Sequence, residues 1–399
     1  MTRINLTIDA EKFLQEIMDS DLNTVTKGLV TTIFNHVMEV ERDHYIQAEA
    51  YERTDDRKDQ RNGYYERDYI IKPGRIKLKV PRTRSGEFST ELFEKYERMD
   101  QSLILAMAEM VINGQSTRSV NKVVQELLGE NVSKSFVSKA LDRIEPEIEA
   151  FCNRSLTYAN FIYLFLDAMY INVIENHHSV KKAVYIAQGV RADGYRDIVV
   201  FWITDVESAQ TWTAFLQSLK ARGLTTPRMV ISDAHTGLRK AIETEFLGTK
   251  WQRCVVHFMR NIIEKMPKKN SEQAREFLKR IFKSPTKQHA IEARDAFYQL
   301  VNEQPKYNDA VKILDNGFYD AIQYTSEPDI FQIHLRTTNS LERVNREIRR
   351  RERSISLFPN IRSAERLIGA VLLDIHEVNQ SPKRKFLKNV QTLLTLKLE

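Results

Sequence analysis

The longest apolar run in the chain, Phe161-Ile162-Tyr163-Leu164-Phe165-Leu166-Asp167-Ala168-Met169-Tyr170-Ile171, is broken by one aspartate. It is too short and too polar to span a bilayer and reads as an interior strand. An interior strand excludes a carboxylate unless the charge is paired, protonated or coordinated. No Lys or Arg lies between Arg154 and Lys181 to pair with it locally. Asp167 therefore points to a metal ion, and any fold for this chain must place an oxygen-ligand site beside a buried strand.

At 399 residues the chain exceeds one typical core, so two or three domains are expected. The N-terminal stretch from Met1 to Asp9 carries no apolar signal core, and two cysteines, Cys152 and Cys254, cannot build a disulfide framework. Both observations argue for a cytoplasmic protein without a membrane partner. The net charge of +6 is clustered. From Lys72 to Arg84 there are six basic residues (Lys72, Arg75, Lys77, Lys79, Arg82, Arg84) and no acid, and from Arg343 to Arg353 six arginines face only Glu347 and Glu352. Such stripes attract phosphate backbones by counterion release, although any one of them taken alone also fits a solvated face.

Periodicity divides the chain. Residues 1–60 read as helical, with Leu29, Ile33, Val37 and Val40 at helical spacing, and suit packing or dimerisation. In 61–100 the period becomes two: Tyr65 to Ile71, a Lys72-Pro73-Gly74-Arg75 turn, then Ile76 to Val80, a β-hairpin with Lys77 and Lys79 on one face. Residues 101–150 give three short helices, Leu103 to Ile112, Ser116 to Leu128 and Ser133 to Ile144, which suit a helix-turn-helix DNA-binding unit as well as a generic three-helix core. Arg118, Lys134, Ser135 and Lys139 are its candidate DNA contacts.

From 158 to 257 three strands in succession (Phe161 to Val173, Val180 to Val190, Asp197 to Ile203) precede strands separated by helices (Arg228 to Ser232, Trp251 to Val256). That order describes a mixed five-stranded α/β sheet rather than a doubly wound one. Residues 258–328, punctuated by Pro267, Pro285, Pro305 and Pro328, read as an all-helical insertion; 329–380 closes with two helices, and 381–399 is a basic tail.

Asp233 ends the fourth strand, and neighbouring strands would bring it to Asp167. An alternative is that Asp233 caps the helix that follows. A third carboxylate, Glu342, opens the Arg343 to Arg353 stripe; its alternative is a capping box with Asn339 three residues earlier. Three carboxylates beside a row of arginines suit Mg²⁺ and phosphate oxygens. Cys254 and His257, spaced as half a zinc site, lack the further ligands that zinc requires.

These segments carry a family resemblance. Leu166-Asp167-Ala168, Ile231-Ser232-Asp233-Ala234-His235, the run from Trp251 to Asn261 that holds Cys254 and His257, and Thr338-Asn339-Ser340-Leu341-Glu342-Arg343 resemble the signature segments of the Mutator-type bacterial transposases, insertion-sequence family 256. The departures are Met169, where Thr or Leu is common, and Ser340, where an apolar residue is common; neither removes a ligand.

The resemblance runs from about Asn62 to about Glu377. It implies an α/β RNase H-like catalytic core with an all-helical insertion, and a DDE triad of Asp167, Asp233 and Glu342 that holds two Mg²⁺ ions, with Mn²⁺ as a substitute. It further implies cleavage and joining of DNA at terminal inverted repeats, by copy-out paste-in through a circle. Cys254, His257, His235 and Asn339 are then expected to support the site. Arg343, Arg346, Arg349, Arg350 and Arg353 would hold the DNA backbone, and a homodimer or higher assembly in the nucleoid would pair two ends. The alternatives left open are a DNA-binding regulator on the same fold and a metal-dependent nuclease without strand transfer.

Overall fold

The structure, a computed structural model, describes residues 21–48, 52, 56–92, 99–128, 131–133, 136–137, 141–355, 357–389 and 392. It comprises two compact units, Met1–Arg143 and Ile144–Glu399.

In the first unit, helix α1 (Leu22–Ile46) is capped by Asp21, whose carboxylate accepts from Thr24 N–H at 2.7 Å. The hairpin expected from alternation is present and longer than predicted, with β1 (Arg61–Ile71) antiparallel to β2 (Gly74–Thr83). Ile76, Leu78 and Val80 are buried with Met38 of α1 and with Tyr69 and Ile71, so the apolar face of the ribbon is taken up by the helix. The basic face is exposed, but acids on β1 answer part of it: Arg75 pairs with Asp68 at 3.1 Å and Lys77 lies 3.9 Å from Glu66. Arg82 stacks over Tyr65, and Arg84 bonds Gln60.

Two helices follow, α2 (Gln101–Ile112) and α3 (Thr117–Leu128), at the places predicted, with Arg118 exposed on α3. Lys134, Ser135 and Lys139 of the third piece of the predicted helix-turn-helix lie outside the described residues, as do residues 1–20; its last four residues, Leu141–Ile144, form a short 3-10 helix.

The second unit opens with α4 (Glu145–Asn153). Behind it stands a five-stranded sheet built from β3 (Phe161–Glu175), β4 (His178–Arg191), β5 (Arg196–Thr204), β6 (Met229–Ser232) and β7 (Lys250–Arg253), in the order β5-β4-β3-β6-β7. β3, β4 and β5 form an antiparallel meander, while β6 and β7 run parallel to β3. Asn176 and His177, both at positive φ (48° and 64°), turn β3 into β4 in the mirror-image geometry that matches strand twist.

Helices α5 (Ala209–Ala221) and α6 (Thr236–Glu245) make the parallel crossovers and cover one face, where Trp212, Phe215, Leu216 and Ile242 meet Leu164 and Leu166. The burial of β3 explains its sequence. Residues from Phe161 to Asp167 are all buried, as in a strand covered on both faces; beyond Ala168 buried and exposed positions alternate. Asp167 stands where the second cover ends.

The fifth strand is shorter than predicted. It stops at Arg253 because Cys254 turns the chain, and Val255 and Val256, which read as strand, begin helix α7 (Val255–Glu264). A short apolar run does not distinguish the two. Helices α8 (Glu272–Ile281), α9 (Lys287–Val301), α10 (Asn308–Ala321) and α11 (Asp329–Leu335) follow, with the four prolines between them as predicted.

This helical segment closes the open edge of the sheet: buried Gln252 of β7 donates to Ala321 O and accepts from Tyr324 N–H (2.9 and 2.7 Å). Buried Glu327 binds Arg228 at 3.0 Å and the Tyr163 hydroxyl at 2.7 Å. Helices α12 (Asn339–Ile355) and α13 (Ile361–Gln380) complete the unit.

Past α13 the basic tail turns back on the sheet. Phe386 and Leu387 both donate to Gly194 O at 3.0 Å. Gly194 has φ +87°, and a Cβ there would meet Leu387 O at 2.0 Å. Gly194→Ala is expected to cost about 1–3 kcal/mol through backbone strain. It should also release the tail, read as a lower Tm together with faster tryptic cleavage at Arg384 and Lys385; an unchanged cleavage rate would show that the docking does not depend on this glycine.

Candidate active site

Parallel pairing sets the two aspartates side by side. Phe165 on β3 is in register with Ile231 on β6. Two residues further along come Asp167, still on β3, and Asp233, one residue past the end of β6. Helix α12 brings Glu342 to the same place, and all three line one cavity of about 580 Å³ with His257, Arg260 and Asn345. Arg346, Arg349, Arg350 and Arg353 continue its wall along α12.

The carboxylates are held in unequal environments. Asp167 is 8% exposed and accepts from Asn345 Nδ2 at 2.7 Å. Burial, then the Asp233 charge, push its carboxyl from an ordinary 3.8 to about 7, against the opposing pull of His257, Ala168 N–H and Asn345. Glu342 Oε1 is buried without a hydrogen bond and lies 3.7 Å from His257 Nε2. His257 is raised to about 9, chiefly by its contact with the Cys254 sulfur, opposed by burial and reinforced by Asp167 and Glu342. A protonated His257 thus provides positive charge beside the two carboxylates.

Cys254 lies beside this histidine. Its sulfur is fully buried and accepts from the Thr338 hydroxyl at 3.3 Å and from Thr338 N–H at 3.5 Å. Burial raises the thiol, but hydrogen bonds from His257 and Thr338 outweigh it and hold the group below its usual value. Cys254 N–H also donates to Ser232 O at 2.7 Å, and Val255 N–H to Arg336 O at 2.9 Å. The start of α7, the end of β6 and the start of α12 are thereby fastened together, and these three places carry His257, Asp233 and Glu342. At its far end α12 is held by Phe358, which bonds Asn172 O and Ile174 N–H of β3.

Both capping alternatives fail on geometry. His235, not Asp233, caps α6, with Nδ1 accepting from Leu238 N–H at 3.3 Å; its ring lies 3.5 Å from Glu207 and does not line the carboxylate cavity. For α12 the first intrahelical bond runs from Glu342 N–H to Thr338 O at 3.0 Å, which makes Thr338 the cap residue. Glu342 is then four residues on, not three, and the box with Asn339 does not form.

Asn339 and Arg343 also fall outside the carboxylate cavity; both lie on another flank of α12 and line a different one. Arg351, buried, turns inward to pair with Glu347 and is absent from the wall. Sequence reading passed over Arg260, which helical spacing from His257 would have found, and Thr338, whose bond to sulfur no spacing rule predicts.

Among the described residues no three His, Cys, Asp or Glu side chains form a ready-made metal cluster. The donor set nevertheless fits a hard cation. Mg²⁺ uses one or two carboxylates and completes its shell with water and phosphate oxygens. Here buried Asp167, whose ionised form is disfavoured by burial and by the Asp233 charge, shares the cavity with a third carboxylate that has an unbonded oxygen.

A profile of the family described as "Transposase, Mutator family" matches residues 1–381. The chain belongs to the Mutator transposase family. This Mutator-family chain is 46% identical over 387 residues to a relative from Staphylococcus aureus named transposase for insertion sequence element IS256 in transposon Tn4001, covering 97% of this chain and 99% of the relative. It is 37% identical over 352 residues (88% and 87%) to the transposase for insertion sequence element ISRM5 from Rhizobium meliloti. The transposase for insertion sequence element IS1081 from Mycobacterium tuberculosis is 32% identical over 371 residues (93% and 89%). No helix among the described residues of this family member is long and apolar enough to cross a membrane.

Proposed function

We propose that this chain is a DDE transposase that binds the terminal inverted repeats of its insertion sequence and carries out Mg²⁺-dependent DNA cleavage and strand transfer on an RNase H-like core. The observation that carries the reading is the meeting of Asp167 on β3, Asp233 just past the parallel strand β6 and Glu342 of α12 in one arginine-walled cavity. A strand order of meander followed by two parallel strands, with helices between the second aspartate and the glutamate, supports the RNase H-like assignment.

Asp167 and Asp233 would hold the cations between them and Glu342 would complete the set. Bound there, two divalent ions supply an activated nucleophile and charge stabilisation of the leaving oxygen in an in-line displacement. The remaining chemistry belongs to the chain's own groups. Asn345 orients the Asp167 carboxylate, and Cys254 and Thr338 hold His257 and Glu342 in fixed relation. Arg346, Arg349 and Arg353 on the cavity wall would bind the non-bridging oxygens of the strand. Water would attack the phosphodiester at the element end, breaking its P–O3′ bond and freeing a 3′-hydroxyl; that hydroxyl would attack a second phosphodiester, whose own P–O3′ bond breaks to release a new 3′-hydroxyl, and no covalent enzyme intermediate is needed.

The reading extends to copy-out paste-in transposition through a circle and to a homodimer on paired ends. The exposed arginines and lysines of β2 and α3 would add backbone contacts in the first unit.

The test incubates the protein with labelled duplex carrying the flanking inverted repeats, in Mg²⁺, Mn²⁺ or EDTA. Nicking and joined products in either metal and none in EDTA are expected. Binding without cleavage would favour the regulator, and cleavage without joining the nuclease.

A further inference from the structure

A larger cavity, of about 750 Å³, lies along the flank of α12 that carries Asn339 and Arg343, within the second unit. The docked tail forms one wall and α11 the other. Arg196, at the start of β5, is packed over the Phe386 ring at 4.5 Å, and its Nε is buried without a hydrogen bond. Burial, then the like charges of Arg343 and Arg384, draw its guanidinium down to about 10. Lys385 and Lys388 add to the same rim, and among the described residues no Asp or Glu lines the cavity. Asp193, the acid that acts on Lys385, is already chelated by Arg191 at 2.8 and 3.1 Å.

Crowded cations without an acid are costly until an anion joins them. These charges come from three separate elements, β5, α12 and the tail, a spread that suits a chain of phosphates better than a single ion. Ile330 and Ile333, one turn apart on α11 and 53% and 63% exposed, offer apolar contact between the charges, as a sugar–phosphate strand requires.

We propose that this cavity is a second DNA-binding groove, sequence-independent, which grips the phosphodiester backbone of duplex DNA running past the carboxylate site. The groove rests on the transposase reading above. It also gives the docked tail a purpose, since Arg384, Lys385 and Lys388 belong to the groove only while Gly194 holds Phe386 and Leu387.

The test measures equilibrium binding of the full chain to a mixed-sequence duplex lacking the element ends, as a function of salt. Arg384→Gln with Lys388→Gln changes two exposed residues and should leave Tm unchanged. Each phosphate that is no longer neutralised should make the slope of log K against log salt shallower by about 0.9, so about 2 for the pair. End-bearing duplex should lose affinity by the same factor. An unchanged slope in the folded double variant overturns the groove.

Inorganic phosphate that stabilises the parent but not the double variant, with the duplex slope unchanged, would mark a small-anion site instead and also overturn it. Cleavage of end DNA by the parent in Mg²⁺ separates the two readings. If the parent cleaves and the slope is unchanged, only the groove falls; if it neither binds nor cleaves, the transposase reading falls with it.

Discussion

Asp167→Asn is expected to abolish cleavage and joining while leaving the binding of end DNA intact. Asparagine keeps the shape of the side chain and an oxygen to accept from Asn345 Nδ2, so the fold has no reason to change. It removes the negative charge that Asp233 and Glu342 share the cavity with. Removing a carboxylate from a divalent-ion site takes away several kcal/mol of charge stabilisation. At about 1.4 kcal/mol per decade, a fall of roughly 10³-fold or more in the single-turnover rate follows.

Glu342→Gln sharpens this. If Glu342 is the third ligand, its loss should be comparably severe. If it serves only as a negative charge in the first turn of α12, the cost is about 0.3–1 kcal/mol of stability and the rate survives. Single-turnover cleavage of end-bearing duplex, with Tm and gel-shift affinity on the same preparations, separates the outcomes. An active Asp167→Asn protein would remove the foundation of the proposed chemistry.

Why some of this was legible and some was not follows from the range of each interaction. Asp167 stood out because a strand covered on both faces prints a continuous apolar run, and a charge within it has no local remedy. The pairing of Asp167 with Asp233 does not follow from adjacency in sequence, since β4 and β5 intervene; it is the sheet order β5-β4-β3-β6-β7 that makes β6 the neighbour of β3. Alternation in β2 gave its buried face directly, whereas the acids that answer its basic face sit on β1, and only the register reveals them.

The end of β7 was misplaced because Cys254-Val255-Val256 is apolar in either conformation; what decides it is the turn at Cys254, fixed by bonds to Ser232 and Arg336 that are distant in sequence. His235 and Asn339 belong to well-conforming motifs yet lie outside the carboxylate cavity. Helix rotation, unlike strand alternation, assigns a residue to a flank only when the packing partner is known. The same uncertainty hid the separation of Arg343 from Arg346: three residues apart in one basic run, they line different cavities.

The substitution that removes activity should also stabilise the protein when divalent ions are absent. In the folded chain Asp167 titrates near 7 rather than 3.8, because burial and the Asp233 charge disfavour its ionised form. A carboxyl with a raised folded pKa binds its proton more tightly folded than unfolded. The resulting stability is complete below about pH 4 and lost as pH rises through about 7, so above that point the folded chain carries a buried charge at full cost.

Asparagine carries no such cost at any pH. In EDTA at about pH 8, Asp167→Asn should therefore be more stable than the parent, by at most roughly 4.5 kcal/mol at ~1.4 kcal/mol per pKa unit. The gain should shrink steadily as pH falls toward about 5, where the parent carboxyl is protonated. Mg²⁺ at the higher pH should raise the Tm of the parent by mass action and leave the variant nearly unmoved, a readout of ion binding that needs no DNA and no turnover.

A parent already as stable as the variant in EDTA at high pH would mean that His257 compensates Asp167 fully. The buried charge would then need no ion, and the inference drawn from a lone aspartate in an apolar strand would lose its physical basis. A parent that is less stable, and that recovers with Mg²⁺, is the behaviour of a strand whose charge is tolerated because the site requires it.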